Sequence, residues 1–338
     1  MADAYQFRNL VFEGGGVKGV AYVGVIRELR KRGILTNIER IAGTSAGAIN
    51  AVLLATRHGQ RETTEILLDL EFRSFLDDSW GLVRDTKRLV RGFGWYKGDF
   101  FRSWIARRIA ARVGNADATF ADFRNRGLPD LYLIGTNLST GFSEVMSAEH
   151  TPEMPVADAA RVSMSIPLFF AAARNARKDV LVDGGVLRNY PVKVFDRERY
   201  IAPQSLQRHA RHTDYYARDN ATRPAGASPY CYNRETLGFR LDSREEIALF
   251  RDGAQPVTGK IGDFFDFGSA LVRTLLNVQN NMHLHSDDWQ RTIYIDTLGI
   301  GATDFSLADR DKRKLIRAGA DGVKRYFDWY DDPDRSPL

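Results

Sequence analysis

The chain has 338 residues, of which 43% are hydrophobic and 27% charged, so it can bury a sizeable core in one large domain or two ordinary ones. Its longest nearly uninterrupted apolar stretch, residues 46–55, is too short to cross a bilayer, which takes about 20 residues. A single cysteine, Cys231, excludes an internal disulfide framework and a cysteine-based zinc site, while the net charge of +5 suits an anionic partner such as a membrane surface.

The N-terminal part of the chain predicts alternating strands and helices. An apolar run at residues 7–12 ends in glycines and predicts a buried strand, and residues 17–32 carry apolar side chains at helical spacing. A second short strand is predicted over 37–43, followed by a very apolar helix over 45–59. This order of strand, helix, strand and helix is typical of an α/β fold with a parallel sheet.

The remainder of the chain continues this alternation with two long exceptions. Residues 62–128 show a more polar helical pattern, and residues 200–260, rich in Arg, Asn, Gly and Pro, predict a long variable loop. Strands are predicted over 130–138, 179–185 and 291–297, and helices over 155–167 and 312–329. No internal repeat or linker is evident, so we predict a single domain over 1–338 in which 62–128 forms a helical, lid-like region.

One predicted helix, at residues 98–114, is amphipathic. Its apolar face is formed by Phe101, Trp104, Ile105, Ile109 and Val113, and its basic face by Arg102, Arg107, Arg108 and Arg112. This pattern is typical of a surface helix packed on a core, which is the interpretation we favour. It also suits a helix that lies in a membrane interface, or a lid close to an acyl-binding site.

The clearest chemical signal is the sequence Gly43-Thr44-Ser45-Ala46-Gly47, between the second predicted strand and the second helix. It matches the G-x-S-x-G nucleophile elbow, in which a sharp turn exposes a strained serine at a helix N-terminus. Side chains at either glycine position would collide in such a turn. We interpret Ser45 as a nucleophile, with the N–H of Ala46 able to point at a forming oxyanion, although an ordinary helix-capping serine fits the same local sequence.

The glycine-rich stretch at residues 14–19 also matches the G-x-G-x-x-G pattern of dinucleotide sites. That pattern requires an acidic residue near the end of the second strand, where this chain has the serine elbow, and Glu39 lies at the beginning of that strand instead. A P-loop is excluded because Lys18 is followed by Gly19 rather than by serine or threonine.

The remaining functional interpretation of this stretch is an oxyanion hole, in which the backbone N–H groups of Gly15 and Gly16 lie beside Ser45. Such donors stabilise a transition state by roughly 3 kcal/mol each. Lys18 adds a cation that could contact a phosphate of the substrate. A glycine-rich turn that only permits close packing is the alternative.

The third feature is Asp183-Gly184-Gly185, which places a carboxylate at the end of a predicted strand. Functional groups of parallel α/β proteins gather at the carboxyl ends of the strands, and a nucleophilic serine needs a base. We therefore interpret Asp183 as the base that activates Ser45. The alternative is an aspartate that only caps a turn.

Taken in order, the glycine-rich loop at 14–19, the elbow at 43–47 and the Asp-Gly-Gly motif at 183–185 resemble the patatin-like phospholipase family. Further similarity is found in SMSIPLFF from Ser163, RNYPV after the aspartate motif, RETLGFRLDS from Arg234 and RTIYIDT from Arg291. The resemblance covers most of the chain. It implies a three-layer α/β/α fold with a mainly parallel central sheet.

The resemblance also implies a catalytic dyad of Ser45 and Asp183 without a catalytic histidine or metal, and we expect no cofactor. Ser45 would attack an acyl ester carbonyl, Asp183 would accept its proton, and the loop from Gly14 to Gly19 would hold the oxyanion. Family members act on phospholipids, lysophospholipids and some neutral lipids. We therefore expect a serine lipid acyl hydrolase that acts on phospholipid at a membrane surface, with or without an activator.

Three other functions stay open on the residues alone. A histidine-containing triad could use His209, His212, His283 or His285, but α/β-hydrolases have several strands before the elbow and this chain has one. The same serine site could transfer acyl groups to an acceptor other than water. A nucleotide-binding or regulatory module could use the glycine-rich loop without Ser45.

Partners and location are predicted only broadly. No zinc-finger, homeodomain or RNP-type pattern is present, so we expect no nucleic-acid partner. The first residues lack a basic segment followed by an apolar one, which predicts a cytoplasmic or membrane-peripheral protein, unless it is exported by a route that uses no such signal.

Overall fold

A central sheet of eight strands organises the computed structural model, which describes residues 5–75, 93–242, 261–262, 267–268, 270–271, 274, 287–332 and 334. The described strands are β1 (Asn9–Phe12), β2 (Arg40–Thr44), β3 (Gly94–Tyr96), β4 (Asp130–Asn137), β5 (Phe142–Ser147), β6 (Leu168–Phe170), β7 (Ala173–Arg174), β8 (Val180–Asp183), β9 (Ala210–Arg211), β10 (Tyr232–Asn233), β11 (Thr236–Asp242) and β12 (Thr292–Asp296). The order across the sheet is β12-β11-β1-β2-β4-β8-β7, with β5 paired to β4.

Helices surround this sheet. Those described are α1 (Tyr22–Lys31), α2 (Ala46–Ala55), α3 (Gln60–Leu68), α4 (Asp99–Val113), α5 (Phe120–Asn125), α6 (Val156–Ser163), α7 (Gly185–Arg188), α8 (Leu206–His209), α9 (Ala217–Thr222) and α10 (Asp309–Tyr330). A 3-10 turn over Gly16–Ala21 leads into α1, so the helix predicted from residue 17 begins as a tighter turn. In the described ranges, no helix combines the length and the hydropathy that crossing a bilayer requires.

The sheet is mainly parallel, as predicted. Five adjacent strands run parallel to one another: β12, β11, β1, β2 and β4. The antiparallel pairs are β4 with β5, β4 with β8, and β8 with β7. Parallel strands need cover on both faces, and β1 is accordingly buried along its whole length. The predicted α/β fold class is therefore confirmed.

Alternate residues of the central strands point to opposite faces of the sheet and pack in two separate cores. The sheet is therefore the middle layer of three. Leu10 and Ile41 belong to the larger core, to which helices α1, α2 and α10 contribute. Val11 and Ala42 point the other way and pack in a second cluster with Phe195 and its neighbours. This second cluster is built by the segment that follows α7, which consists of short turns rather than long helices.

The amphipathic helix is α4, and its predicted apolar face is buried in the larger core: Phe101, Trp104, Ile105, Ile109 and Val113 are each at most 6% exposed. The helix packs against α6. The interpretation as a surface helix packed on a core is confirmed, and the membrane-interface alternative is wrong because that face is covered by protein. Residues 76–92 of the predicted helical region lie outside the described residues.

The prediction of a long loop over 200–260 is wrong for the part that forms β11, which is buried and lies between β1 and β12. The strand was missed because charged residues interrupt its apolar pattern. Arg240 is 1% exposed, and it forms an ion pair of 2.8 Å with Asp242 inside the protein. Such pairing lets a strand with charged side chains be buried. Residues 243–260 lie outside the described residues.

Candidate active site

Two strands meet end to end along one edge of β4, and this meeting creates the site. β2 pairs with β4 up to Thr44, which lies opposite Ile134. β8 pairs with the next residue, because Gly135 lies opposite Asp183. The other edge of β4 is occupied by β5 at both positions, so β2 and β8 share one edge. The residue that follows β2, Ser45, is therefore brought to the last residue of β8.

Ser45 occupies a strained turn between β2 and α2. Its φ of 53° and ψ of −124° are unusual for a residue with a side chain. The turn is held from the side by Ser163, whose hydroxyl accepts the Ser45 N–H at 3.0 Å and donates to the carbonyl of Ile134 at 2.7 Å. The Ser45 side chain is thereby presented at the N-terminus of α2. Its Oγ contacts the sulfur of Met164 at 3.8 Å.

The two glycines of the elbow are required by close backbone contacts. A Cβ at Gly43 would lie 2.4 Å from the carbonyl oxygen of Gly47, and a Cβ at Gly47 would lie 2.4 Å from the carbonyl oxygen of Phe12. Both distances are far shorter than a carbon–oxygen contact allows. The strand, the turn and the helix can approach this closely only without side chains at these positions.

Asp183 is buried beside the serine and is 4% exposed. Its Oδ1 accepts the N–H of Gly185 at 2.7 Å, whereas Oδ2 has no hydrogen-bond partner within the described chain. Burial raises the pKa of Asp183 to about 7, and the hydrogen bond from the Gly185 N–H and the proximity of the Ser45 hydroxyl oppose that rise. The carboxyl group is thus poised to exchange a proton near neutral pH.

The glycine-rich loop presents backbone N–H groups to the same place. Among the described residues, the N–H groups of Gly15, Gly16 and Ala46 have no backbone or side-chain acceptor. The N–H of Gly14 donates to the carbonyl of Asn189 at 3.2 Å, so this glycine shapes the loop rather than offering a free donor. Three free donors around one serine form the kind of arrangement that binds a developing negative charge.

These groups enclose a cavity of about 30 Å³. It is lined by Gly15, Gly16, Ser45, Ile166, Pro167, Asp183, Val186, Asn189 and Ala302. The cavity is therefore small, with room for only a few water molecules. Apart from the serine, the aspartate and Asn189, the side chains that line it are apolar.

The other residues of the three sequence motifs lie around this cavity without lining it. Gly19 faces Ala46, with an ideal Cβ only 2.8 Å from the Ala46 Cβ, and Gly184 packs on the carbonyl of Ile134. The ammonium group of Lys18 donates to the carbonyl of Leu241 at 3.2 Å. This bond uses one of the three N–H donors of the ammonium group, so a phosphate contact by Lys18 stays a prediction.

None of the described histidines lines the cavity. His58 contacts Thr56, His150 contacts Ser147, His209 contacts Glu235 and His212 contacts Glu198. His283 and His285 lie outside the described residues. Where the chain is described, no three His, Cys, Asp or Glu side chains are grouped as a metal would require.

Sequence reasoning missed several residues that build the site. Ser163 and Asn189 fall within stretches that carried the family resemblance, but no role followed from the pattern alone. Ile166 and Pro167 belong to the first of those stretches and cover the cavity. Ala302 had no local signal, because it reaches the site only through the tertiary fold.

The sequence of the chain is similar to those of known proteins. A family model described as patatin-like phospholipase matches residues 10–196. An uncharacterised protein of Acanthamoeba polyphaga mimivirus, R571, is 31% identical over 322 residues, covering 95% of this chain and 93% of its own. The uncharacterised protein YqhO of Bacillus subtilis is 28% identical over 322 residues, covering 91% of this chain and 94% of its own.

Two further comparisons concern activity and fold. A cGAMP-activated phospholipase of Escherichia coli is 27% identical over 210 residues, covering 56% of this chain and 54% of its own. The crystal structure of VipD from Legionella pneumophila superposes with a TM-score of 0.61 at 18% identity, covering 96% of this chain and 67% of its own. That likeness shows a shared fold.

Replacing the elbow glycine, Gly47→Ala, is expected to lower the free energy of unfolding by about 1–3 kcal/mol, because the new Cβ overlaps the backbone of β1. The matched control is Gly301→Ala, since an ideal Cβ at Gly301 meets no atom within 4 Å. We expect the control to stay within about 0.5 kcal/mol of wild type. Urea denaturation of both variants measures the difference, and equal effects would contradict the steric argument.

The raised pKa of Asp183 makes stability depend on pH. Between the unfolded pKa of about 3.9 and the folded value of about 7, the folded protein holds a proton that the unfolded chain releases. This contribution therefore lowers the free energy of unfolding as pH rises, by a total on the order of 4 kcal/mol. Asp183→Asn keeps the shape and removes the charge.

We expect Asp183→Asn to unfold at a higher temperature than wild type at about pH 8, with the gain lost at about pH 4. Thermal unfolding at both pH values measures this. Asp219→Asn, at an exposed aspartate, is the control and should show no such dependence. An equal gain at both pH values would show that ionisation of Asp183 is not its source.

Proposed function

The chain belongs to the patatin-like phospholipase family and is a lipid hydrolase, and we propose that it cleaves acyl esters of phospholipids or lysophospholipids with Ser45 as nucleophile and Asp183 as base. One observation carries this proposal. The end-to-end meeting of β2 and β8 puts a strained serine and a half-satisfied, buried carboxylate in one cavity with Gly15 and Gly16, whose N–H groups have no acceptor in the described chain.

In the first half of the proposed reaction, Ser45 Oγ attacks the carbonyl carbon of the ester while its proton passes to Asp183. The unpartnered Oδ2 of Asp183 is the atom available to receive it. A carboxylate with a pKa near 7 is a far stronger base than an ordinary aspartate, and it is still largely ionised slightly above neutrality. Burial thus supplies the basicity that a histidine supplies in other serine hydrolases.

The negative charge on the carbonyl oxygen would be held by the N–H groups of Gly15, Gly16 and Ala46. Their combined effect is several kcal/mol, at roughly 3 kcal/mol for each well-placed donor. The N-terminus of α2 adds a favourable field at the same point. Collapse of the intermediate transfers the proton from Asp183 to the leaving alcohol and leaves the acyl group on Ser45.

In the second half, water attacks the acyl-enzyme carbonyl and gives its proton to Asp183. The same N–H groups stabilise the second oxyanion, and the proton returns to Ser45 as the fatty acid leaves. No group beyond Ser45, Asp183, the N–H donors, the ester and water is needed to balance these steps. An alcohol in place of water would give acyl transfer, so product analysis with a competing alcohol distinguishes the two outcomes.

The apolar cover over the cavity supports an acyl chain as the group bound there. Ile166, Pro167 and Val186 offer hydrocarbon rather than hydrogen-bonding surface. A fatty acyl group is larger than the cavity of about 30 Å³, so in the proposed complex it extends beyond these side chains or displaces some of them.

Loss of either dyad member is expected to abolish ester hydrolysis while the fold survives. Ser45→Ala removes the nucleophile and Asp183→Asn removes the base, and each should lower the rate by at least about a thousandfold. The controls are Ser74→Ala and Asp219→Asn, at exposed positions outside the cavity.

Two measurements check this expectation. A fluorophosphonate probe should add one adduct to wild type, seen by intact mass, and none to Ser45→Ala. Release of fatty acid from phosphatidylcholine and lysophosphatidylcholine then reports turnover. Hydrolysis by Ser45→Ala or Asp183→Asn at the wild-type rate would overturn the dyad.

The rate should also rise with pH through the pKa of Asp183. The base is active only when ionised, so kcat/KM should increase in one step with its midpoint near pH 7 and then level off. A short soluble ester is used to measure this pH dependence, because its hydrolysis does not require the protein to bind vesicles. A rate that stays constant down to about pH 5 would exclude a base with this pKa.

A further inference from the structure

The edge of the sheet that carries Ser45 and Asp183 also carries two hairpin tips that the proposed reaction does not use. Residues 138–142 comprise the turn between β4 and β5 with the first residue of β5, and residues 174–178 run from the last residue of β7 toward β8; we call them the twin tips. They are bound to each other, since the Leu138 N–H donates to the carbonyl of Val180 and the Val180 N–H donates to Ser139 Oγ, both at 2.9 Å. Val180 lies about 10 Å along β8 from Asp183.

The first tip exposes two large apolar side chains. Leu138 is 51% exposed and Phe142 is 73% exposed. A single exposed apolar residue is ordinary, but these two flank one short turn. The turn is fixed, because Asn137 Oδ1 accepts the N–H groups of Ser139 and Thr140 at 3.0 and 3.1 Å. The hairpin therefore holds both side chains in water instead of folding them inward.

The second tip is equally well fixed and exposes cations. Asn175 Oδ1 accepts two backbone N–H groups of this turn at 3.0 and 2.9 Å. Arg177 has a 72% exposed side chain and pairs with Asp179, which is largely covered. Arg174 and Lys178 are exposed, and no carboxylate of the described chain forms an ion pair with either. The tip therefore presents an excess of positive charge.

An exposed aromatic side chain, Phe93, lies next to a cation of the second tip. Phe93 is 47% exposed, and the guanidinium of Arg174 lies 5.7 Å from its ring centre. Exposed apolar and cationic side chains thus lie on two neighbouring, hydrogen-bonded hairpins, with Val180 about 10 Å from Asp183. Aromatic and aliphatic groups with neighbouring Lys and Arg are the combination that partitions into the interface of an anionic bilayer.

We propose that the twin tips dock on an anionic lipid bilayer. Leu138 and Phe142 enter the boundary between head groups and acyl chains, and Arg174, Arg177 and Lys178 contact anionic head groups. The purpose of this docking depends on the proposed function, because docking would bring the cavity to its ester substrates. It rests on its own observations for the contact itself, namely exposure, rigidity and charge on one surface.

The test measures binding of the full chain to vesicles by sedimentation, in the Ser45→Ala background so that the lipid cannot be hydrolysed. Phosphatidylcholine vesicles are compared with vesicles of phosphatidylcholine mixed with phosphatidylserine. We expect tighter binding to the mixed vesicles, weakened by salt. Arg177→Gln with Lys178→Gln should weaken that binding by about fivefold per cation. Leu138→Ser with Phe142→Ser should weaken it at least tenfold and at every salt concentration.

The chain offers a matched control at the opposite edge of the sheet. Arg61 is exposed and pairs with Glu65 as Arg177 pairs with Asp179, and Arg126 is an exposed cation just before β4. Arg61→Gln with Arg126→Gln has the same charge change and should leave binding unchanged. Circular dichroism of each variant confirms that it is folded.

The outcomes separate docking from catalysis. Binding that is absent in the Ser45→Ala protein, or unchanged in both tip variants, overturns the proposed docking. Equal weakening by the tip and control pairs of charges also overturns it, because attraction would then depend on net charge alone. None of these results depends on turnover, which the soluble ester reports separately, so failure of the reaction and failure of docking remain distinguishable.

Discussion

The structure depends on one constraint: β2 and β8 must share a single edge of β4. Ile134 and Gly135 are consecutive residues, yet one pairs with the strand that ends at the serine and the other with the strand that ends at the aspartate. The backbone of β4 therefore sets the separation of the two groups to within one residue. Since β8 runs antiparallel to β4, its carboxyl end points toward the serine instead of away from it. A parallel β8 in the same place would have put Asp183 at the other end of that strand, about 10 Å farther from the serine.

Assembling the site lowers stability locally. Ser45 has an unfavourable backbone conformation, and burial raises the pKa of both Asp183 and Glu13 to about 7. Glu13 directly precedes the glycine-rich loop and is held by the N–H of Leu241 at 2.7 Å. The large core and the buried pairing of Arg291 with Asp196 and Asp288 offset these effects elsewhere. Part of the backbone strain and of the buried charge thus lies where the proposed chemistry needs it.

Local sequence was sufficient for the elements whose residues form regular patterns. β1 and β2 are short apolar runs that end in glycine motifs, so both strands and the elbow could be predicted. β11 and β5 could not. Arg240 and Asp242 neutralise each other only after folding, and β5 is stabilised by its pairing with β4 rather than by its own apolar pattern. Ala302, which lines the cavity, could not be predicted either, because it reaches Gly16 from a distant part of the chain.

The residues that line the cavity are held by different backbone hydrogen bonds. On one side, Ile166 is tied into its turn, because its carbonyl accepts the N–H groups of Phe169 and Phe170 at 3.2 and 3.0 Å. On the other side, the carbonyl of Ala302 accepts one N–H of the glycine-rich loop, that of Val17 at 3.1 Å. Ile166 is thus held within its own turn, whereas Ala302 is bound directly to the glycine-rich loop by a backbone hydrogen bond, worth about 1 kcal/mol net. The twin tips belong to neither side and are fixed by their own hydrogen bonds. The proposed docking therefore uses a rigid surface that is separate from the residues lining the cavity, so contact with a membrane would not require the cavity to change shape.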